Sequence, residues 1–252
     1  MATQHVLTKP SESSAPEREA RIQLAALYRL IEHLGWGEGI YNHIALRVPD
    51  EPDAFLIKPH ALRYDEVTAS NLIKVDCRAD LGEANGVNSV GFNNHAPVIR
   101  ERRDVNCSIH IHTRPIETVS ALRCGLRMVL AQSVVLQDNV GYMDFTGVVE
   151  RPDAQHVLLE ALGDKAVLIM RNHGAIVTGN SVAHAFVMLQ RLMTTCEVQL
   201  KLMETGSEFI EIEPELCREG AQIFRHHDAV RGGEDWPAWV RVIDRISPDF
   251  RD

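Results

Sequence analysis

Residues 102–113 read RRDVNCSIHIHT. The apolar run Val105–His112 predicts a buried strand, and side chains on a strand alternate between the two faces of its sheet. His110 and His112 should therefore lie on one face, while Ile111 enters the core on the other. Two imidazoles at this spacing can bind the same divalent ion. The segment predicts a buried strand that carries two metal ligands.

A third ligand is expected from another part of the chain. The best candidate is His173 in Asn172-His173-Gly174, which directly follows the apolar strand predicted over Ala166–Met170. A polar residue at the end of a buried strand, followed by glycine, is typical of a binding site. The spacing alone leaves open a hydrogen-bonded structural pair, because the chain holds 12 histidines.

The elements on the N-terminal side begin with a helix, which Ser14 caps and Gly35 ends. Strands are predicted over His43–Val48 and Ala54–Ile57, and a further helix over His95–Arg103. The remaining predictions are helices over Arg114–Leu122, Ala154–Leu162, Val182–Met203, Glu213–Phe224 and Trp236–Ile246, with a strand-like piece shortly after residue 207. Helices that alternate with short strands indicate a mixed α/β domain around a largely antiparallel sheet.

Composition narrows the class of protein. The chain has 252 residues, of which 45% are hydrophobic and 24% charged, enough for one large domain. A net charge of −9 argues against nucleic-acid binding, and no apolar run approaches the length of a membrane span. The first residues lack the apolar region of a secretory signal. The five cysteines form no C-x-x-C pair and indicate reduced thiols, so a cytoplasmic protein is expected.

Five ordered blocks carry a family resemblance. They are GWGEGIYNHIALRVPD, FLIKPHALRYDEVTASNLIKVD, RRDVNCSIHIHT, RNHGAIVTG and the long helix that follows. Together they resemble the class II aldolase/adducin family, in its adducin-like bacterial branch. The resemblance implies an α/β/α sandwich with a mainly antiparallel, nine-stranded sheet. It also implies a homotetramer with active sites between subunits, and a metal bound by His110, His112 and His173.

The resemblance divides the chain into three parts. Residues 1–17 are expected to be a flexible tail, residues 18–206 the class II aldolase/adducin domain, and residues 207–252 an extension packed on that domain. One divalent ion is expected, with zinc as the first choice and manganese, cobalt or iron as alternatives.

The sequence departs from the sugar-phosphate aldolases at two places. Their acid/base glutamate corresponds to a position at or beside Gly91-Phe92-Asn93, where no carboxylate is present. Their phosphate-binding loops correspond to His60-Ala61 and Ser89-Val90. His60 and Ser89 are therefore candidates for substrate binding, together with His43 near the expected anion position. A hydrogen-bonded strand histidine is the alternative interpretation of His43.

The missing base needs a replacement. His95, one helix before the metal strand, and Tyr142, in a predicted loop, are the catalytic candidates. The alternative interpretation of Tyr142 is a turn with a buried ring.

The expected function is a metal-dependent carbon–carbon lyase, cleaving by retro-aldol reaction or decarboxylation through a metal-stabilised enolate. Its substrate would be small, oxygenated and anionic. A non-haem Fe(II) oxygenase and a non-catalytic, adducin-like interaction module are the alternatives.

Overall fold

The computed structural model describes residues 13–79, 86–145, 153–224, 227 and 231–252. The strands are β1 (His43–Val48), β2 (Glu51–Ile57), β3 (Ile73–Asp76), β4 (Cys107–Ile111), β5 (Val140–Met143), β6 (Val167–Met170) and β7 (Gly174–Gly179). The helices are α1 (Ala15–His33), α2 (Ser89–Glu101), α3 (Arg114–Ala121), α4 (Ala154–Leu162), α5 (Val182–Glu204), α6 (Pro214–Phe224) and α7 (Asp235–Ile246). Short 3₁₀ turns lie at Tyr64–Glu66, Ala131–Leu136 and Pro248–Arg251.

The strands form one sheet in the order β3-β2-β1-β4-β7-β6-β5. Neighbouring strands are antiparallel except β5 and β6, which run parallel. The metal strand β4 lies at the centre, between β1 and β7. Its pairing sets His43 opposite His110 and Ala175 opposite Ile111. Residues directly opposite in adjacent strands share a face, so this register brings His43 and His110 together.

Helices cover both faces of the sheet. Helices α1, α3, α5 and α7 pack on the face that carries Ile109 and Ile111. Helices α2 and α4 pack on the other face, against residues such as Ala45 and Ile176. The result is the expected α/β/α sandwich, and His110 lies on the α2 side. Strand β4 is buried along its whole length because both faces are covered.

Several sequence predictions are confirmed. Ser14 caps α1 by accepting the backbone N–H of Glu17, and α5 begins and ends within one residue of its predicted bounds. Others are wrong. Helix α2 begins six residues before the predicted start, because the Asn88 side chain caps it. No strand is present at residues 207–213, and the loop predicted around Tyr142 is strand β5. The sheet has seven strands within the described ranges, where nine were expected.

The segment after residue 206 contacts the earlier part of the chain at several points. Phe250 and Asp252 accept backbone hydrogen bonds from Ala69 and Ser70 at 2.9 and 2.8 Å. Asp249 forms an ion pair with Arg29 on α1 at 2.8 Å. Among the helices of the described ranges, none combines the length and apolar content needed to cross a bilayer. All five cysteines are unpaired, and all but Cys124 are buried.

Candidate metal centre

Three histidines converge at one end of the central strands. His110 is the penultimate residue of β4, His112 follows that strand, and His173 lies in the turn between β6 and β7. The Nε2 atom of His112 is 2.8 Å from that of His110 and 2.9 Å from that of His173. One nitrogen from each ring lies within 4.8 Å of the others, the spacing of a shared metal ion. The structure therefore brings all three predicted ligands together.

The turn that presents His173 has a specific local cause. Asn172 adopts the left-handed backbone region with φ of 57°, which asparagine tolerates better than most residues. Gly174, two positions after Asn172, lies close to β4. A Cβ atom there would lie 2.5 Å from the Ile111 carbonyl oxygen and 2.8 Å from Cδ2 of His112. Glycine at 174 thus allows two ligand-bearing segments to approach each other.

Hydrogen bonds at the outer nitrogens fix the rings of two ligands. The Nδ1–H of His110 donates to the Ala175 carbonyl at 3.2 Å. The Nδ1–H of His112 donates to Oε2 of Glu38 at 2.7 Å. With these tautomers, assigned from the hydrogen-bond partners, both Nε2 atoms are acceptors. In these tautomers neither Nε2 carries a proton, so the two nitrogens cannot hydrogen-bond to each other although they are 2.8 Å apart. This arrangement fits a cation.

Burial favours the neutral form of His110 and His173. It lowers the pKa of His110 well below its ordinary range and that of His173 to about 4, with the neighbouring histidines adding to both shifts. Neutral imidazole is the form that binds metal, so at neutral pH no proton has to leave these rings first.

A second histidine pair lies beside the metal ligands. Nδ1 of His43 is 2.8 Å from Nε2 of His95, and Nδ1 of His95 is 2.9 Å from the hydroxyl of Ser108. The His43 ring stacks on His110 with the centroids 4.8 Å apart. His95 is fully buried and His43 is 4% exposed. Burial lowers the pKa of His95 to about 3 and that of His43 well below its ordinary range.

The His43 ring fills the space beside Gly91. A Cβ atom at Gly91 would lie 3.0 Å from Cδ2 and 3.3 Å from Nε2 of His43. Position 91 belongs to the segment where the sugar-phosphate aldolases were expected to carry their glutamate. A side chain longer than glycine at this helix position would meet the imidazole. A longer side chain at position 91 would therefore require the His43 ring to move.

The other substrate-binding candidates lie on neighbouring loops. The backbone N–H of His60 donates to Gly86 at 2.8 Å, which joins the His60 turn to the segment leading into α2. Ser89 is the exposed first residue of that helix. Nδ1 of His60 is buried and has no hydrogen-bond partner among the described residues. The structure therefore brings the His60 turn close to the start of α2.

Lys58 is a residue that the sequence analysis did not single out. It is 3% exposed, and its ammonium group donates to the carbonyls of Ile40 and Leu62 at 3.0 and 2.8 Å. It also contacts the carbonyls of Pro59 and His60. Burial lowers its pKa to about 8. Lys58 thereby joins the His60 turn to the loop before β1. In the sequence, the one indication of this role was a lysine directly after a buried strand.

Tyr142 lies on the opposite face of the sheet from His110 within one chain. It is on β5, three strands from β4, a separation of roughly 14 Å at the usual strand spacing. Its register partner Ile169 packs on the face opposite His110. The Tyr142 hydroxyl accepts the Leu126 N–H at 2.9 Å, and the ring lies 4.4 Å from the Arg171 guanidinium carbon. The contact with Arg171 packs Tyr142 against the end of β6, shortly before His173.

Comparisons with known proteins agree with this architecture. Residues 22–200 match the family described as the class II aldolase and adducin N-terminal domain. Alpha-adducin of Mus musculus is 42% identical over 195 residues, which are 75% of this chain; the match covers only 26% of that protein. A relative in Pseudomonas aeruginosa, provisionally named an aldolase class 2 protein, is 34% identical over 96% of this chain and 95% of its own length.

A solved structure extends the similarity to nearly the whole chain. The crystal structure of an aldolase II superfamily protein from Pseudomonas syringae superposes with a TM-score of 0.88 at 33% identity, covering 96% of this chain and 98% of that one. The sequence match and the shared fold agree: this chain belongs to the class II aldolase and adducin N-terminal domain family.

Proposed function

We propose that the protein is a divalent-metal-dependent carbon–carbon lyase that acts on a small, oxygenated, anionic substrate. The observation that carries this proposal is the convergence of three histidines, whose nearest nitrogens lie within 4.8 Å of one another. His110, His112 and His173 would hold the ion, with zinc as the first choice. A bound ion would polarise a carbonyl or hydroxyl oxygen of the substrate and stabilise negative charge on it.

His43 is the group of this chain best placed to contact the reacting part of a substrate. It lies against His110, in the space that a side chain at Gly91 would need. His95 has no exposed surface, so we assign it a positioning role. It holds Nδ1 of His43 and is itself held by Ser108, which leaves Nε2 of His43 to face the substrate.

The lack of a carboxylate at position 91 favours one reaction type. Retro-aldol cleavage begins with removal of a hydroxyl proton, which needs a base. Decarboxylation of a β-keto acid breaks the bond to the carboxylate and releases carbon dioxide, and the electron pair moves onto the carbonyl oxygen. No base is required for that step. We therefore place decarboxylation before retro-aldol cleavage for this chain.

His60 and Ser89 would contact the anionic end of the substrate. Support comes from the hydrogen bond that joins the His60 turn to Gly86, three residues before Ser89. We assign Tyr142 no role in a site built from one chain. We further propose a homotetramer, which could bring residues of a neighbouring subunit to the site, and a cytoplasmic setting, which the five unpaired cysteines support.

A non-catalytic interaction module is the second candidate. The observation that favours it is the 42% identity to a segment of alpha-adducin, which exceeds the identity to the Pseudomonas aeruginosa relative. Such a module would have no need of a bound metal. Metal content therefore separates the two candidates before any substrate is known.

The test begins with metal content of protein purified without added metal, measured beside the His110→Ala/His173→Ala double variant. We expect about one metal ion per chain in the parent and none in the folded variant. The matched control replaces two exposed histidines, His33 and His156. It should keep the metal.

Activity assays follow from the metal that is found. Zinc-, manganese- or cobalt-loaded protein should release carbon dioxide from members of a panel of β-keto acids. Oxygen uptake confined to the Fe²⁺ form would instead support an oxygenase. A parent that holds no metal and binds none of these ions would leave the interaction module.

A further inference from the structure

The loop between α1 and β1 holds His112 at two points. Oδ1 of Asn42 accepts the backbone N–H of His112 at 3.0 Å, and Oε2 of Glu38 accepts its Nδ1–H at 2.7 Å. Asn42 is fully buried, and its own side-chain amide donates to the Trp36 carbonyl. One loop therefore fixes both the backbone and the ring of a single ligand.

The loop itself is anchored from the opposite side. The Lys58 ammonium donates to the Ile40 carbonyl at 3.0 Å, between the two residues that contact His112. The remaining bonds of Lys58 go to carbonyls of the His60 turn, so it joins the loop to β2. Glu38 thus extends from a segment with a defined position.

Glu38 differs from the other contacts of the three ligands. His110 is held by a backbone carbonyl, which is neutral. Within the described residues, Glu38 is the carboxylate that accepts a hydrogen bond from a member of the set. Three neutral imidazoles leave the charge of a divalent ion uncompensated. A carboxylate on the outer nitrogen of one ligand fixes its tautomer and makes its Nε2 a stronger donor to a metal.

We propose that Glu38 is the positioning residue of the metal centre and that it acts through His112. This inference rests on the metal binding proposed above and adds a residue that the family resemblance does not supply. The alternative is an ordinary surface contact, because the Glu38 side chain is 48% exposed and exposed pairs contribute little. The two interpretations predict different metal affinities.

The experiment measures zinc affinity of the full chain by competition with a chromophoric chelator. Glu38→Ala should weaken zinc binding about 10- to 100-fold, the range found for such supporting carboxylates. Glu38→Gln keeps a hydrogen-bond acceptor without the charge, so its affinity should lie between those of the parent and Glu38→Ala. Glu117→Gln, a carboxylate in the first turn of α3, is the matched control and should bind like the parent.

The absorption spectrum of the Co²⁺ form provides a second readout. Loss of the Glu38 contact should shift the visible bands, because the ring of one ligand is no longer fixed, whereas a merely structural change would leave them in place. Equal zinc affinity and identical cobalt spectra for Glu38→Ala and the parent would overturn the inference. If the parent binds no zinc, the metal centre itself is refuted. Should Glu38→Ala fail to fold, the comparison of Glu38→Gln with the parent decides.

Discussion

His43 and His95 contact each other through ring nitrogens 2.8 Å apart, and so do His110 and His112. The two contacts nevertheless differ in kind. In the first, His95 bonds onward to a serine hydroxyl, which can donate or accept, so one nitrogen can carry the shared proton. In the second, both rings use their proton on an outer partner, a carbonyl for His110 and a carboxylate for His112.

The comparison shows that the distance between two histidines does not reveal their chemistry. That chemistry is set by the partner that hydrogen-bonds to the outer nitrogen of each ring. A hydroxyl, which can donate or accept, allows the two rings to share a proton, whereas an acceptor on each outer nitrogen leaves both near nitrogens unprotonated and able to bind a metal. Three substitutions and a change of pH test this contrast.

The largest effect is expected from Gly174→Ala. The added Cβ would lie 2.5 Å from the Ile111 carbonyl oxygen, so β4 and the His173 turn must separate. We expect zinc affinity to fall at least about 1000-fold, equivalent to about 4 kcal/mol. Isothermal titration of the metal-free protein measures this. Retained tight binding would show that the turn can move without displacing His112.

His95→Ala should destabilise the protein without removing the metal. It deletes a fully buried ring and leaves His43 and Ser108 without their partner, a loss of about 3 kcal/mol in the free energy of unfolding. The measurement is urea unfolding with metal content in parallel. His112→Ala is the contrasting variant. In the absence of metal, its free energy of unfolding should lie within about 1 kcal/mol of the parent's, because the substitution relieves the repulsion between two unprotonated nitrogens. Similar losses in both variants would erase the distinction.

Acid should weaken the folded state through the buried pair. Burial lowers the pKa of His95 to about 3, while in the unfolded chain it titrates near 6.5. The unfolded state binds the extra proton between these values, so the stabilisation is complete above pH 6.5 and is lost as the pH falls toward 3. From pH 6.5 to 5 this residue alone lowers the free energy of unfolding by about 2 kcal/mol.

Urea unfolding at several pH values tests this, with His95→Gln as the comparison. The variant should show a shallower pH dependence over the same interval. An unchanged slope would mean that other groups cause the acid sensitivity.

The smallest effect is expected from Gly91→Ala. The new Cβ would lie 3.0 Å from Cδ2 of His43, which must give way by a few tenths of an ångström. Alanine inside a helix is favoured over glycine by up to about 1 kcal/mol, so the two effects oppose each other and the net change should stay below about 1 kcal/mol. Imidazole nitrogen chemical shifts should change for His43 and remain for His173. A large loss of stability would show that the His43 ring cannot move.

Much of the fold and the clustering of His110, His112 and His173 could be predicted from sequence. The period-2 pattern around His110 and the glycine after His173 are local signals, and local signals are what a single sequence carries. Strand β7 was missed because it begins and ends with glycine, which strands usually avoid. Strand β5 was missed because its parallel pairing with β6 depends on residues distant in sequence.

The supporting residues of the site were beyond local patterns. Glu38 lies 74 positions from His112, and Ser108 lies 13 from His95. Nothing in the neighbouring residues distinguishes Glu38 from a solvent-exposed loop carboxylate. The occupied space beside Gly91 was invisible for the same reason, because the ring that fills it comes from His43 on strand β1.

His110 belongs to both histidine groups, since its Nε2 faces His112 while its ring stacks on His43 at an interplanar angle of 26°. The His110 ring therefore contacts both the group of three histidines and the His43–His95 pair. A cation held at Nε2 would draw electron density from the aromatic face on which His43 rests, and that face would become less accommodating to a second positive charge. A cation bound at Nε2 of His110 would thus change the electrostatic environment of His43 without any atom having to move.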